Sequence, residues 1–213
     1  MDVHTLLTQP AALRARVQAV LAHHDGPSGE PPAGIRRAAV LLMLVQARGE
    51  AALLLTERSH LVEHHKGQIS LPGGVIERGE SPLRAALREV GEEIGVRTED
   101  VTVLGALDEE ETVVSGFVMA PFVGTIPYPY PLRVSSAEVR RVIEVPLRAL
   151  LDPHNVRTER WERGGTSRIM YFYTVGTDVV WGATARVITQ FLRMVFDAAI
   201  PPEGEDPAAP RRG

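Results

Sequence analysis

No cysteine occurs in the 213 residues. That excludes a disulfide scaffold, a thiolate nucleophile and any Cys-ligated metal centre. Lysine is almost missing as well: of 23 basic residues only Lys66 is not arginine, which reads as codon-usage bias before anything functional. No apolar run approaches the roughly 20 residues that span a bilayer. The N-terminal MDVHTLLTQP has neither the basic region nor the long apolar stretch of a secretory signal. A net charge of −4 and a pI near 6.0 leave no broad basic surface for nucleic acid. What is present, 44% hydrophobic and 23% charged residues, suits a globular domain with a full core. The expectation is a cytoplasmic protein with a small-molecule partner, no nucleic acid and no membrane.

The pattern divides the chain into residues 1–34, 35–200 and 201–213. Residues 10–23 read as a helix, with Pro10 at a tolerated first position and Leu13, Val17, Val20 and Leu21 on one face. The Pro- and Gly-dense 24–34 reads as a linker, so this helix is an N-terminal appendage that could cover the core, form a homodimer contact or do neither. Ala38–Gln46 and Ala51–Thr56 flank Arg48-Gly49-Glu50 and predict a hairpin. Further strands are predicted at 101–107, 117–126 and 139–145, then a short helix at 147–151. A second hairpin spans 155–163 and 168–175 around Gly164-Gly165, and a long helix covers 181–199. The tail 201–213 has almost nothing to bury and reads as disordered. Interleaved strands and helices give an α/β or α+β class with a mixed sheet.

The most informative segment is 71–96. Ser81 is a good N-cap, Pro82 suits the first helical turn, and Gly95 can take the left-handed conformation that ends a helix. Leu83, Ala86, Leu87, Val90 and Ile94 form one apolar stripe. Glu89, Glu92 and Glu93 stand at i, i+3 and i+4 on another face, where each like-charge pair costs roughly 0.2–0.5 kcal/mol. A hard divalent cation removes that penalty, and Mg²⁺ or Mn²⁺ favours carboxylates completed by phosphate oxygens. Gly73 and Gly74 let backbone groups approach a ligand closely.

Gly74, then Glu80, then Arg88-Glu89-Val90-Gly91-Glu92-Glu93-Ile94-Gly95-Val96 resembles the whole Nudix box, G-x5-E-x7-R-E-U-x-E-E-x-G-U, with no position departing. The resemblance implies a Nudix hydrolase: an α/β/α sandwich that cleaves nucleoside diphosphates linked to another group, with Mg²⁺ or Mn²⁺. It further implies Glu89 and Glu93 as first metal ligands, Glu92 as ligand or general base, and Arg88 as the residue that orients them. By the same resemblance the Gly73 carbonyl can join the metal shell.

Immediately upstream, LLTERSHLVEHHKGQISLPGG (54–74) resembles the signature of the coenzyme A pyrophosphatase branch, L-L-T-x-R-S-x3-R-x3-G-x3-F-P-G-G. Glu63 stands where that branch has a basic residue, and Leu71 replaces its Phe. The resemblance implies cleavage of CoA or acyl-CoA to 3′,5′-ADP and 4′-phosphopantetheine. Its alternatives are a Nudix hydrolase of ADP-ribose, a dinucleotide or an oxidised nucleotide, and a non-catalytic nucleotide sensor.

The substrate contacts expected are Arg58, whose guanidinium forks onto phosphate oxygens, with Ser59, His65, Gln68 and Arg37. His64 and Lys66 belong to the same loop. Arg36 and Arg37 are weighed evenly between a 3′-phosphate and plain solvation. The acidic run Asp108–Glu111 is read as a solvated loop rather than a second metal site. Trp161, Tyr171 and Tyr173 are read as core or interface packing rather than a base-stacking platform.

Overall fold

A computed structural model describes residues 2–22, 24, 35–59, 67–111, 117–163 and 166–200. The strands are β1 (Arg36–Ala47), β2 (Glu50–Arg58), β3 (Ile69–Ser70), β4 (Gly73–Val75), β5 (Thr102–Ala106), β6 (Glu110–Glu111), β7 (Phe117–Thr125), β8 (Val139–Pro146), β9 (Val156–Arg163), β10 (Thr166–Val175) and β11 (Asp178–Trp181). The α-helices are α1 (Val3–Thr8), α2 (Pro10–Leu21), α3 (Pro82–Ile94), α4 (Leu147–Leu151) and α5 (Gly182–Phe196).

The predicted first hairpin forms as β1 and β2, joined by Arg48 and Gly49 with φ of 52° and 84°. Two positive φ angles in a two-residue turn match the twist of the flanking strands. β1 is the centre of an eight-stranded sheet in the order β3-β2-β1-β7-β5, with β4 on β1, β6 on β7 and β8 on β2. Only β1 and β7 run parallel, so the sheet is mixed as expected. β9, β10 and β11 make a second, antiparallel sheet that contains the predicted second hairpin.

The period-2 alternation along β1 sorts its side chains to two cores. Ala39, Leu41 and Met43 pack with Ala86, Val90 and Ile94 of α3. Val40, Leu42 and Leu44 pack on the opposite face with α5 and the second sheet, including buried Tyr171 and Tyr173. Helix, sheet and helix therefore form the α/β/α sandwich.

Of the alternatives open for the N-terminal helix, the structure shows that it covers the core. Leu6, Leu7, Leu13, Val17 and Leu21 belong to the same buried cluster as α5, and α1 was not predicted at all. At Gly105 a Cβ would stand 2.6 Å from the Leu21 Cβ, so the glycine is what lets α2 sit flush on β5. The boundary at 34/35 is thus not a boundary of the core. The linker residues 25–34 and the tail 201–213 lie outside the described residues. The C-terminal helix starts one residue later than predicted, because Trp181 pairs with Phe172 as the last residue of β11.

Candidate active site

α3 forms where its caps predict. The Ser81 hydroxyl accepts from the Arg84 N–H at 3.4 Å, and Gly95 takes φ 72°. The helix end is closed from outside: the Arg133 N–H donates to the Ile94 carbonyl at 2.9 Å and the Ser135 N–H to the Glu93 carbonyl at 2.8 Å. Leu83 and Leu87 are only half-buried, whereas Glu93 is 3% exposed. The spacing explains it: Ala86, Val90 and Glu93 are i, i+4 and i+7, so Glu93 shares the apolar stripe rather than a separate acidic face.

Arg88 organises the remaining acids. Its Nε and Nη2 donate to both oxygens of Glu80 at 3.1 Å each. Nη1 donates to Glu89 at 2.9 Å and Glu92 at 3.1 Å, and Nη2 also reaches the Val75 carbonyl at 3.1 Å. One guanidinium therefore fixes three carboxylates to the strand before the helix. The Arg88 hydrogen bond, ahead of burial, holds Glu80 below the usual carboxylate range. Glu89 is raised, chiefly by burial, and Glu93 is pushed up to about 8, again chiefly by burial. Glu93 has one fixed donor, the Gly73 N–H at 3.2 Å.

The glycine loop lies against these acids. A Cβ on Gly74 would overlap the Glu89 carboxyl, and one on Gly73, at φ 148°, would overlap the backbone of Ala39 and Val40. Both glycines also line a pocket of about 320 Å³. Arg58, Gln68 and Ser70 line it too, with an apolar end made by Val40, Leu71, Phe117, Met119 and Met170. The buried Nε of Arg58 has no hydrogen-bond partner among the described residues. Its positive charge is felt at Glu93. Of the expected substrate contacts, the fold thus brings Arg58 and Gln68 to the pocket.

The other expected contacts fall elsewhere. Ser59 is buried, its N–H donating to the Glu138 carbonyl at 2.8 Å. Arg37 is ion-paired with Glu109 and does not line the pocket. Arg36 lies over the Phe117 ring, 4.2 Å from its centroid. His65 lies outside the described residues, with Glu63, His64 and Lys66.

The acidic run is no solvated loop. Asp108 contacts His24 and accepts from Gln190, and Glu109, Glu110 and Glu111 pair with Arg37, Arg186 and Arg168. Its four acids tie this segment to β1, α5 and β10, with Asp108 and Glu110 both meeting α5. A carboxylate that sequence reasoning missed is Glu138, whose like charge raises both Glu89 and Glu93. It lies far along the chain, in the turn that closes the end of α3, and no local pattern marks it. Tyr171 and Tyr173 are core residues as expected, while Trp161 lies outside the core, 37% exposed on the outer face of the second sheet.

Among the described residues no three His, Asp or Glu side chains converge as a closed metal cage. The donor set instead suits Mg²⁺, which takes one or two carboxylates and leaves its remaining positions to water and substrate phosphate. Glu89 and Glu138 each act on Glu93 as like charges, and the glycine loop lets backbone lie directly against the Glu89 carboxyl.

The NUDIX domain profile matches residues 35–163, from the start of β1 to the end of β9. The chain belongs to the Nudix hydrolase family. A protein of Photorhabdus laumondii named uncharacterized Nudix hydrolase NudL is 35% identical over 161 residues, covering 75% of this chain and 85% of that one. Its namesake in Shigella flexneri is 36% identical over 160 residues, covering 75% and 82%. Among solved structures, a MutT/nudix family protein from Enterococcus faecalis superposes with TM-score 0.51 at 18% identity, over 85% of this chain and 69% of that one. That likeness concerns the fold. This Nudix hydrolase keeps every position of the box, and Arg88, Glu89, Glu92 and Glu93 stand together around its glycine loop. No helix among the described residues is long and apolar enough to cross a membrane.

Proposed function

We propose that this Nudix hydrolase is a Mg²⁺- or Mn²⁺-dependent pyrophosphohydrolase that cleaves CoA or acyl-CoA to 3′,5′-ADP and 4′-phosphopantetheine. The observation that carries the reading is Arg58. It belongs to the CoA-branch motif and lines the same pocket as Gly73 and Gly74, whose backbone meets Glu93 and Glu89. A buried guanidinium nitrogen without a partner is costly unless a ligand completes it, and phosphate oxygens match its geometry.

Glu89, Glu92, Glu93 and the Gly73 carbonyl would hold the metal. A bound divalent ion neutralises the anhydride oxygens and lowers the pKa of a coordinated water. Arg88 keeps Glu89 and Glu92 aimed, and the Gly73 N–H keeps Glu93 in place. Glu92, with a side chain 55% exposed, would take the proton of the attacking water. Water oxygen bonds to one phosphorus, the bridging P–O bond breaks, and two phosphate monoesters leave. Positioning and electrostatics carry most of the acceleration.

Chromatography of products from CoA, dephospho-CoA and ADP-ribose, each with Mg²⁺ or Mn²⁺, tests the reading. Release of 3′,5′-ADP from CoA at clearly higher kcat/KM than from the other two is expected. Equal cleavage of dephospho-CoA or ADP-ribose would remove the CoA assignment and keep the Nudix chemistry. Binding without metal-dependent hydrolysis of any of them would revive a nucleotide sensor.

A further inference from the structure

Arg36 and Arg37, the residues weighed for a 3′-phosphate, are engaged by Phe117 and Glu109. The pocket offers another place for an anion. The opening turn of α5 is part of its wall, through Gly182, Ala183 and Thr184. This helix runs for 15 residues and starts without a side-chain cap: Trp181 supplies none, and no acid stands in the first turn. Ser, Thr, Asp or Asn at the cap would satisfy one of the free N–H groups there. With the positive end of the helix dipole, those groups form a site suited to phosphate.

Two side chains beside that turn call for the same ligand. Thr184 is 4% exposed and lines the pocket, and its hydroxyl has no hydrogen-bond partner among the described residues. A buried hydroxyl left so is costly unless a ligand completes it. Gly182, at φ 71°, carries no side chain, and a Cβ there would stand 3.5 Å from the Gln68 Nε2. The Gln68 amide therefore adds a donor in front of the helix. Arg186, one turn along α5, lines the same wall and pairs with Glu110. Glu111, a carboxylate of the lining, is answered by Arg168. The free groups here are donors, which suits a phosphate.

We infer that the N-terminus of α5, with the Thr184 hydroxyl and the Gln68 amide, binds the 3′-phosphate of CoA, the phosphate that is not hydrolysed. Diphosphate and 3′-phosphate hang from one ribose, so a pocket that takes the first at Arg58, Gly73 and Gly74 brings the second to a neighbouring wall. A monoester dianion carries the concentrated charge that a helix N-terminus favours. This rests on the CoA reading above and adds to it the contact that tells CoA from dephospho-CoA.

Binding and kinetics test this separately. In EDTA, calorimetric titration of the full chain is expected to show tighter binding of 3′,5′-ADP than of 5′-AMP. Thr184→Val keeps the shape and removes the hydroxyl. The 3′,5′-ADP to 5′-AMP affinity ratio should then fall by roughly tenfold, as for a lost hydrogen bond to a charged group. With Mg²⁺, the CoA to dephospho-CoA ratio of kcat/KM should fall alike. Ala183→Asp separates binding from folding, because an acid in the first helical turn stabilises the helix and repels a phosphate. Its melting temperature should hold or rise while both ratios fall. With CoA still cleaved in preference to dephospho-CoA, ratios unchanged in both variants, or a wild-type protein that binds the two nucleotides equally, overturn the inference and leave the function standing. Equal weakening of both nucleotides by Thr184→Val would put the 5′-phosphate at the helix, which also overturns it. If no CoA compound is cleaved while ADP-ribose is, the function reading fails and the inference goes with it.

Discussion

Glu89 lies directly against the backbone of Gly74, close enough that a Cβ there would overlap its carboxyl group. The glycine of the box is thus a space reserved for one glutamate. Gly74→Ala is expected to displace Glu89 and lower kcat by roughly 10- to 100-fold, as loss of a ligand's support does, with the Mg²⁺ activation curve moved to higher concentration. Gly73→Ala is a different lesion. Its Cβ meets backbone at φ 148°, so thermal melting should report lost stability ahead of lost activity.

Glu92→Gln and Glu93→Gln should each cost roughly two to three orders of magnitude in turnover, the size seen when a group stabilising transition-state charge is removed. Steady-state kinetics with circular dichroism checks this. A kcat near wild type in both variants would sink the metal assignment.

Arg88 spends its hydrogen bonds on Glu80, Glu89, Glu92 and the Val75 carbonyl. Lysine keeps the charge and loses the fork. Arg88→Lys should retain the fold and lose about 10- to 100-fold in metal affinity, read by calorimetric titration of Mn²⁺.

Burial pushes Glu93 up to about 8, from an ordinary value of 4.5. The folded state therefore keeps a proton that the unfolded chain releases. Stability is fully present below about 4.5 and falls as pH rises towards about 8. In EDTA the melting temperature should drop across that window, and Glu93→Gln should remove much of the slope. Added Mg²⁺ should stabilise most at the alkaline end, where the carboxylate is charged. Glu57 acts in another range. Burial would raise it, but hydrogen bonds from Arg141 and Arg140 outweigh that and hold it low, so its contribution fades only in acid.

Local chemistry was legible from sequence and long-range assembly was not. Ser81, Pro82 and Gly95 fixed the limits of α3, and Arg48-Gly49 fixed the first hairpin, because caps and turns are decided within a few residues. The box residues meet as their spacing implies. Glu93 was assigned to an open face, although Ala86 and Val90 put it on the buried stripe. Glu138 and the partners of Asp108–Glu111 come from distant elements, and pairing of that kind leaves no periodic trace. Core and interface stayed undivided for Trp161, Tyr171 and Tyr173 for the same reason: alternation says which residues share a face of a strand, not which face the rest of the molecule covers.

The place of α1, α2 and α5 in one core has a practical consequence. The matched span 35–163 parts β9 from β10 and leaves out all three helices. A gene trimmed to that span would encode an open half-shell, with Leu42, Leu44 and Leu53 turned to water. The span that carries the family profile is therefore shorter than what makes the protein fold.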